Sequence, residues 1–258
     1  MDSLGDLLGA LSAKVGLRVK KGDCELHGPF EALAREGFGP ACPRCMKESL
    51  AAAAQREYQL EAERNRVERL QELLSSSNIP PIYRNISFDG LEARDESERQ
   101  MIDTCKKYAS LALSGSLNGR NLMLIGDVGV GKTTLACAIL RMVTLGGLSG
   151  GFFRHTQVLD DVGLAYSQPD KGTVSDRSAR YAMPDVMVLD EFCRDRRTDF
   201  MREVTYAVID ARYVAGKPTI ITSKLQINDL IAVAGKDVMD RLSANKSLCL
   251  RLLGESRR

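Results

Sequence analysis

Apolar residues are arranged in two distinct ways along this chain. Beyond residue 80, short apolar runs alternate with longer stretches whose apolar positions recur every three or four residues. The runs at 121–125, 151–155, 185–190 and 218–222 predict strands, and 95–113, 132–145, 158–166 and 199–213 predict helices. Such alternation predicts an α/β domain, a central parallel sheet with helices on both faces. Before residue 80 the pattern changes. Leu4, Leu7, Leu8, Leu11, Val15 and Val19 lie on one helical stripe, so residues 1–20 predict an amphipathic helix, weakened by Gly5, Gly9 and Gly16. That stripe packs on its own domain or docks on a partner protein, and the spacing allows both.

Residues 22–46 lack long apolar runs, whereas 47–76 predict one long helix with Tyr58, Leu60, Val67, Leu70 and Leu74 set among alternating Glu and Arg. Ser75-Ser76-Ser77-Asn78 ends that helix, and Pro80-Pro81 prevents its continuation. The domain boundary is placed here, with an N-terminal module at 1–76 and a second domain at 77–258.

Composition narrows the function classes. A chain of 258 residues holds one full α/β domain and a small module. A net charge of +2 is too small to argue for nucleic acid, so any such binding needs a local patch. No run reaches the ~18 apolar residues of a membrane span. Asp2 and Asp6 precede the first basic residue, Lys14, unlike a secretory signal. Seven cysteines, an odd number, predict no disulfide scaffold and point to a reducing cytoplasm.

The sharpest chemical signal is Gly126-Asp127-Val128-Gly129-Val130-Gly131-Lys132-Thr133, directly after Leu122-Met123-Leu124-Ile125 and before a helical segment that begins at Thr134. Strand, glycine loop and helix N-terminus in that order make a phosphate cradle. The glycines let backbone N–H groups approach phosphate oxygens, Lys132 reaches the β- and γ-phosphates, and the Thr133 hydroxyl ligates Mg²⁺. The chain is therefore expected to bind ATP. The apolar strand Asp185-Val186-Met187-Val188-Leu189 leads into Asp190 and Glu191. Ligands in open α/β sheets bind at carboxyl ends of strands, so both acids fall near the loop if the first and third strands of this sheet are neighbours. Asp190 then holds Mg²⁺, and Glu191 orients and polarises the attacking water. Lys224, at the end of Pro218-Thr219-Ile220-Ile221-Thr222-Ser223, either senses the γ-phosphate or is a solvated loop lysine.

Cys24-x-x-His27 and Cys42-x-x-Cys45 offer two ligand pairs, the set preferred by a closed structural zinc site. A region so poor in large apolar residues needs such a staple. Cys105, Cys137, Cys193 and Cys249 have no paired spacing and are expected to be small buried hydrophobes.

Together these motifs resemble the DnaC-type replicative helicase loaders, a branch of the AAA+ ATPases. The resemblance is carried by Leu4-Gly5-Asp6-Leu7-Leu8, Ile79-Pro80-Pro81-Ile82-Tyr83 with Ser87-Phe88-Asp89, the phosphate loop, Val186 to Glu191, Val238-Met239-Asp240-Arg241-Leu242, and Ser256 to Arg258. It implies that Arg241 is an arginine finger acting on ATP bound by the next subunit, and Arg258 a second sensor within its own. It implies that the N-terminal module binds the hexameric replicative DNA helicase. The ATPase domain would self-associate on that helicase and grip single-stranded DNA. Lys224 departs from the asparagine usual at its position. Aromatic residues are scarce, so base stacking is a small part of any DNA contact. Phe152, Phe153 and Arg154 form the best aromatic-basic cluster, although the phenylalanines serve equally as strand core. Arg194, Arg196 and Arg197 contact DNA phosphates or form a solvated loop balanced by Asp195 and Asp199. Alternatives are an IstB-type transposition helper ATPase and a nucleotide-gated adaptor with negligible turnover.

Overall fold

The computed structural model describes residues 16–168, 170, 172–194 and 198–254. The chain divides into two units, Met1–Val67 and Glu68–Arg258. Residues 1–15, which hold most of the expected N-terminal helix, lie outside the described residues, as do Arg196, Arg197, Ser256 and Arg258.

In the first unit β1 (Leu17–Cys24) and β2 (Gly28–Arg35) form an antiparallel hairpin whose register runs from Leu17 opposite Arg35 to Cys24 opposite Gly28. This corrects the expected helix over 1–20 at its end, because Val19 lies in β1. Leu17 and Val19 also satisfy a period of two, and the hairpin ladder satisfies backbone groups that a short polar helix would leave to solvent. The 34-residue α1 (Pro43–Ser76) follows. It starts before the expected residue 47 because Pro43 suits the first helical position, where its missing N–H costs nothing. The division between the units falls within this helix.

The second unit is built on a five-stranded sheet. Its strands are β3 (Leu122–Gly126), β4 (Gly150–Arg154), β5 (Val186–Asp190), β6 (Thr219–Ser223) and β7 (Leu248–Leu252). Their order is β4-β5-β6-β3-β7 and every pairing is parallel. The helices are α2 (Glu96–Leu113), α3 (Lys132–Leu145), α4 (His155–Ser167), α5 (Val174–Tyr181), α6 (Asp199–Val214), α7 (Ile227–Ala234) and α8 (Lys236–Ser243). Alternate strand residues feed two separate cores. Leu122, Leu124, Val186, Val188 and Ile220 pack against α2 and α3. Met123, Ile125, Met187, Leu189 and Ile221 pack against α4 to α8. This three-layer arrangement is the expected parallel sheet flanked by helices, and strands buried on both faces explain why they read as continuous apolar runs.

Phe152 is buried in the first core, and Phe153 packs against the second in edge contact with the Tyr181 ring at 5.0 Å. The phenylalanines are thus strand core rather than a stacking platform. α5, α7 and β7 were not anticipated. Cys249 corrects another expectation: it sits on the outward face of edge strand β7 and is exposed, whereas Cys105, Cys137 and Cys193 are buried. Burial pushes the Cys105 and Cys193 thiols up to about 12, which keeps them unreactive. Among the described residues no helix is long and apolar enough to cross a membrane.

Candidate nucleotide site and metal cluster

The phosphate loop joins β3 to α3. Its first residue, Gly126, has φ 147°, and a Cβ there would meet the Leu252 carbonyl oxygen at 2.3 Å, so no other residue fits. Gly131, at φ 97°, caps α3 without any side-chain hydrogen bond. The first N–H groups of α3 are thereby left for an anion. Lys132 folds back over the loop, donating from Nζ to Gly126 O at 2.7 Å and Asp127 O at 2.6 Å. Burial lowers the Lys132 pKa, against the opposing pull of Asp127 and Asp190.

The acids arrive by a different route from the one expected. β3 and β5 are not neighbours, because β6 lies between them. All strands run parallel, however, so their carboxyl ends still share one edge. Thr222 on β6 fills the gap. The Thr133 hydroxyl donates to Asp190 Oδ1 at 2.9 Å, and the Thr222 hydroxyl donates to the same oxygen at 2.6 Å. Thr222 Oγ1 in turn accepts from the Glu191 N–H at 3.1 Å, and Thr222 O accepts from the Phe192 N–H at 2.8 Å. Two oxygen donors, Thr133 and the buried Asp190, therefore sit side by side, which fits a hard divalent cation such as Mg²⁺. Val128, Gly129, Lys132, Thr133, Glu191 and Lys224 line one cleft with Thr222 and Arg194. Lys224 thus shares the cleft with Lys132 and Thr133. A second, mostly apolar hollow borders Val130, Gly131 and Thr134, walled by Leu91, Met101, Ile102, Leu135 and Leu252, with buried Glu98 at its side.

The turn after Glu191 is held from behind. Glu191 and Cys193 adopt φ of 53° and 56°, conformations that cost free energy in residues with a side chain. The Cys193 N–H donates to His155 Nδ1 at 3.2 Å, and His155 Nε2 bonds Thr205 Oγ1 at 2.8 Å. Thr205 spends its own hydroxyl proton on Met201 O, so His155 is the neutral tautomer with its proton on Nε2. The Glu191 carboxylate pairs with Arg194, Nη1 to Oε2 at 2.8 Å. His155, Thr222 and this use of Arg194 were not foreseen, since each depends on which strands and turns meet.

Arg241 on α8 does not line the cleft of its own chain. Its guanidinium pairs with Asp210, donates to Tyr206 Oη at 2.6 Å, and lies 4.5 Å from the Tyr206 ring centroid. Asn121 fixes that helix end by donating to Arg241 O and Leu242 O.

In the first unit, Cys24 closes β1, His27 lies in the hairpin turn, Cys42 precedes α1, and Cys45 occupies its first turn. Their ligand atoms all lie within 4.8 Å of one another. Cys24 Sγ is 3.5 Å from Cys45 Sγ, and His27 Nδ1 is 3.3 Å from Cys45 and 3.7 Å from both Cys24 and Cys42. A tetrahedral zinc ion with bonds of about 2.0–2.3 Å has edges of about 3.3–3.8 Å, so the cluster fits zinc. The Leu26 backbone N–H, helped by His27 and Cys45, pulls the Cys24 thiol down to about 6, whereas the hydrogen bond to Cys24 and burial push the Cys45 thiol up to about 12, so without a cation one proton stays on the pair. His27 Nε2 meets Glu48 Oε1 at 3.0 Å, which orients Nδ1 toward the cysteines. Glu48 is three residues beyond Cys45 on the same helical face.

Residues 45–258 match the family of IstB-like ATP binding proteins. The chain is 25% identical to the Escherichia coli protein YdaV over 182 residues, 70% of this chain and 71% of that one. It is 24% identical to the replicative helicase loader DnaC of Buchnera aphidicola over 194 residues, 75% of this chain and 78% of that one. It is 30% identical to an ATP-binding protein of a Mycobacterium tuberculosis insertion sequence over 129 residues, 48% of this chain and 50% of that one. Among solved structures it resembles the DnaC helicase loader, with a TM-score of 0.58 and 24% identity, covering 67% of this chain and 100% of that one. It also resembles a primosome component from Streptococcus pyogenes, with a TM-score of 0.59 and 22% identity, covering 73% and 99%. With the phosphate loop, the paired acids and most of the sequence in agreement, the chain belongs to the family of IstB-like ATP-binding proteins, ATPases of the AAA+ fold.

Proposed function

We propose that this protein is an ATP-dependent loader that delivers a replicative hexameric DNA helicase onto single-stranded DNA. The observation that carries the reading is the assembly of Lys132, Thr133, Thr222 and Glu191 in one cleft, with buried Asp190 bonded to both threonines. The choice of cargo is supported by relatives named replicative helicase loaders, which align over three quarters of the chain. In this reading residues 77–258 form the motor and residues 1–76, with the zinc site, receive the helicase. Motors self-associate on the helicase through their ATPase domains, and nucleotide state governs release of the loaded ring.

The chemistry follows from the residues. The adenine enters the apolar hollow beside Val130 and Thr134, and the phosphates lie along the amides from Gly126 to Thr134. Lys132 leaves its two loop carbonyls for the β- and γ-phosphates. Thr133 and Asp190 hold Mg²⁺, which supplies charge neutralisation to the phosphates when bound. Glu191 accepts a hydrogen bond from the attacking water and fixes its line of approach. The water oxygen forms a bond to the γ-phosphorus as the bond to the β–γ bridging oxygen breaks. The electron pair leaves on ADP, and the water proton passes through Glu191 to solvent. Lys224 contacts the γ-phosphate, Arg258 contacts nucleotide in its own subunit, and Arg241 serves the site of a neighbour.

Size-exclusion chromatography with the helicase from the same source tests the reading. Co-elution in the presence of ATP is expected, and failure under all nucleotide conditions overturns it. A second reading, an IstB-type transposition helper, is favoured by the 30% identity to the insertion-sequence ATP-binding protein. A transposase gene beside this one, with capture of that transposase instead of helicase, would select it.

A further inference from the structure

Lys132, Lys224 and Arg194 bring three cations to the ATP cleft, and the mechanism above uses two. The guanidinium of Arg194 holds the Glu191 carboxylate, the group that must face the water. The backbone enforces this pairing. Glu191 and Cys193 are both left-handed, the Arg194 N–H donates to Glu191 O at 3.2 Å, and His155 anchors the Cys193 N–H. Yet the side chains of Arg194 and Glu191 are 56% and 42% exposed, so solvent screens the pair and the arginine can exchange partners. A γ-phosphate carries more negative charge than a carboxylate and presents three oxygens to a forked donor.

We propose that Arg194 is a further catalytic residue, which holds Glu191 until a triphosphate arrives and then moves to the γ-phosphate, freeing the carboxylate for water. ADP has no γ-phosphate, so with ADP bound Arg194 stays on Glu191. This rests on the ATP reading given above. Arg194 thereby discriminates triphosphate from diphosphate and ties readiness of Glu191 to the same event.

The test uses the full chain, fluorescence titration with mant-labelled β,γ-methylene ATP and mant-ADP, and phosphate-release assays. Arg194→Ala should weaken the triphosphate about tenfold and leave ADP within about twofold, while Arg194→Lys should fall between. Glu191→Gln removes the competing carboxylate, so triphosphate should bind about threefold tighter or more, and adding Arg194→Ala should erase that gain. The proposal is overturned if Arg194→Ala keeps the wild-type ratio of triphosphate to diphosphate affinity. It is equally overturned if the double variant binds as tightly as Glu191→Gln. Should Arg194→Ala fail to fold, Glu191→Gln with and without Arg194→Lys carries the same comparison. A wild-type chain that binds neither nucleotide would instead sink the ATP reading itself.

Discussion

Lys132 already makes two hydrogen bonds to its own loop, so a triphosphate must outbid Gly126 O and Asp127 O for its ammonium. The exchange is favourable because phosphate oxygens carry full charge and carbonyls do not. Lys132→Ala removes the cation and is expected to lower ATP turnover by at least about 10²-fold, measured by phosphate release. Thr222 acts one step further out. Its hydroxyl donates to Asp190 and accepts from the Glu191 N–H, so Thr222→Val keeps the shape and loses both bonds. Turnover is expected to fall about 10- to 100-fold while the melting temperature changes little, the usual cost of losing a supporting partner at a metal site.

At the scale of elements, α6 is stapled to the sheet by one buried side chain. Arg212 is 1% exposed and donates to Thr219 Oγ1 and to the carbonyls of Tyr181, Pro184 and Pro218. Arg212→Met removes four buried hydrogen bonds, leaving Pro218 O only its long 3.4 Å bond from the Met187 N–H, and is expected to cost about 3–5 kcal/mol in urea denaturation. Arg212→Lys should restore little, since one ammonium cannot span four acceptors. Nothing in the spacing of residues 199–213 marks Arg212 for this task, because its acceptors come from segments 28 to 31 residues away or across a turn. The phosphate loop and the acidic strand end were legible for the opposite reason. Each is a local string whose meaning depends only on its own strand and helix. The hairpin of β1 and β2 escaped because Lys20, Lys21 and Glu31 occupy it and the apolar residues are few. The neighbour relation of β3 and β5 failed because sheet order is a property of crossovers rather than of any one segment, and with it Thr222 was overlooked. Glu48 was readable in principle, lying one turn beyond Cys45.

For the molecule as a whole, the metal cluster and the nucleotide cleft belong to separate units. Cys42→Ser is therefore expected to release zinc, measured by metal analysis, and to abolish co-elution with helicase. ATP turnover by the same variant should stay within about twofold, because the cluster and the cleft lie in different units. Arg241, proposed above to serve a neighbour's site, gives a test that only an assembly can pass. Arg241 lies outside the cleft of its own chain and is held by Asp210 and Tyr206. Arg241→Ala and Lys132→Ala should each be inactive alone, whereas their mixture on the helicase should regain measurable turnover, as one subunit supplies the arginine and the other the intact cradle.

The close approach of Leu252 to Gly126 has a mechanical consequence. A backbone carbonyl of the final strand occupies the volume that a methyl group would need at the first residue of the phosphate loop. Tension on the segment following β7 would be felt at Gly126 with no intervening side chain to absorb it. Any shift of Leu252 along β7 is thus passed directly to the first residue of the cradle.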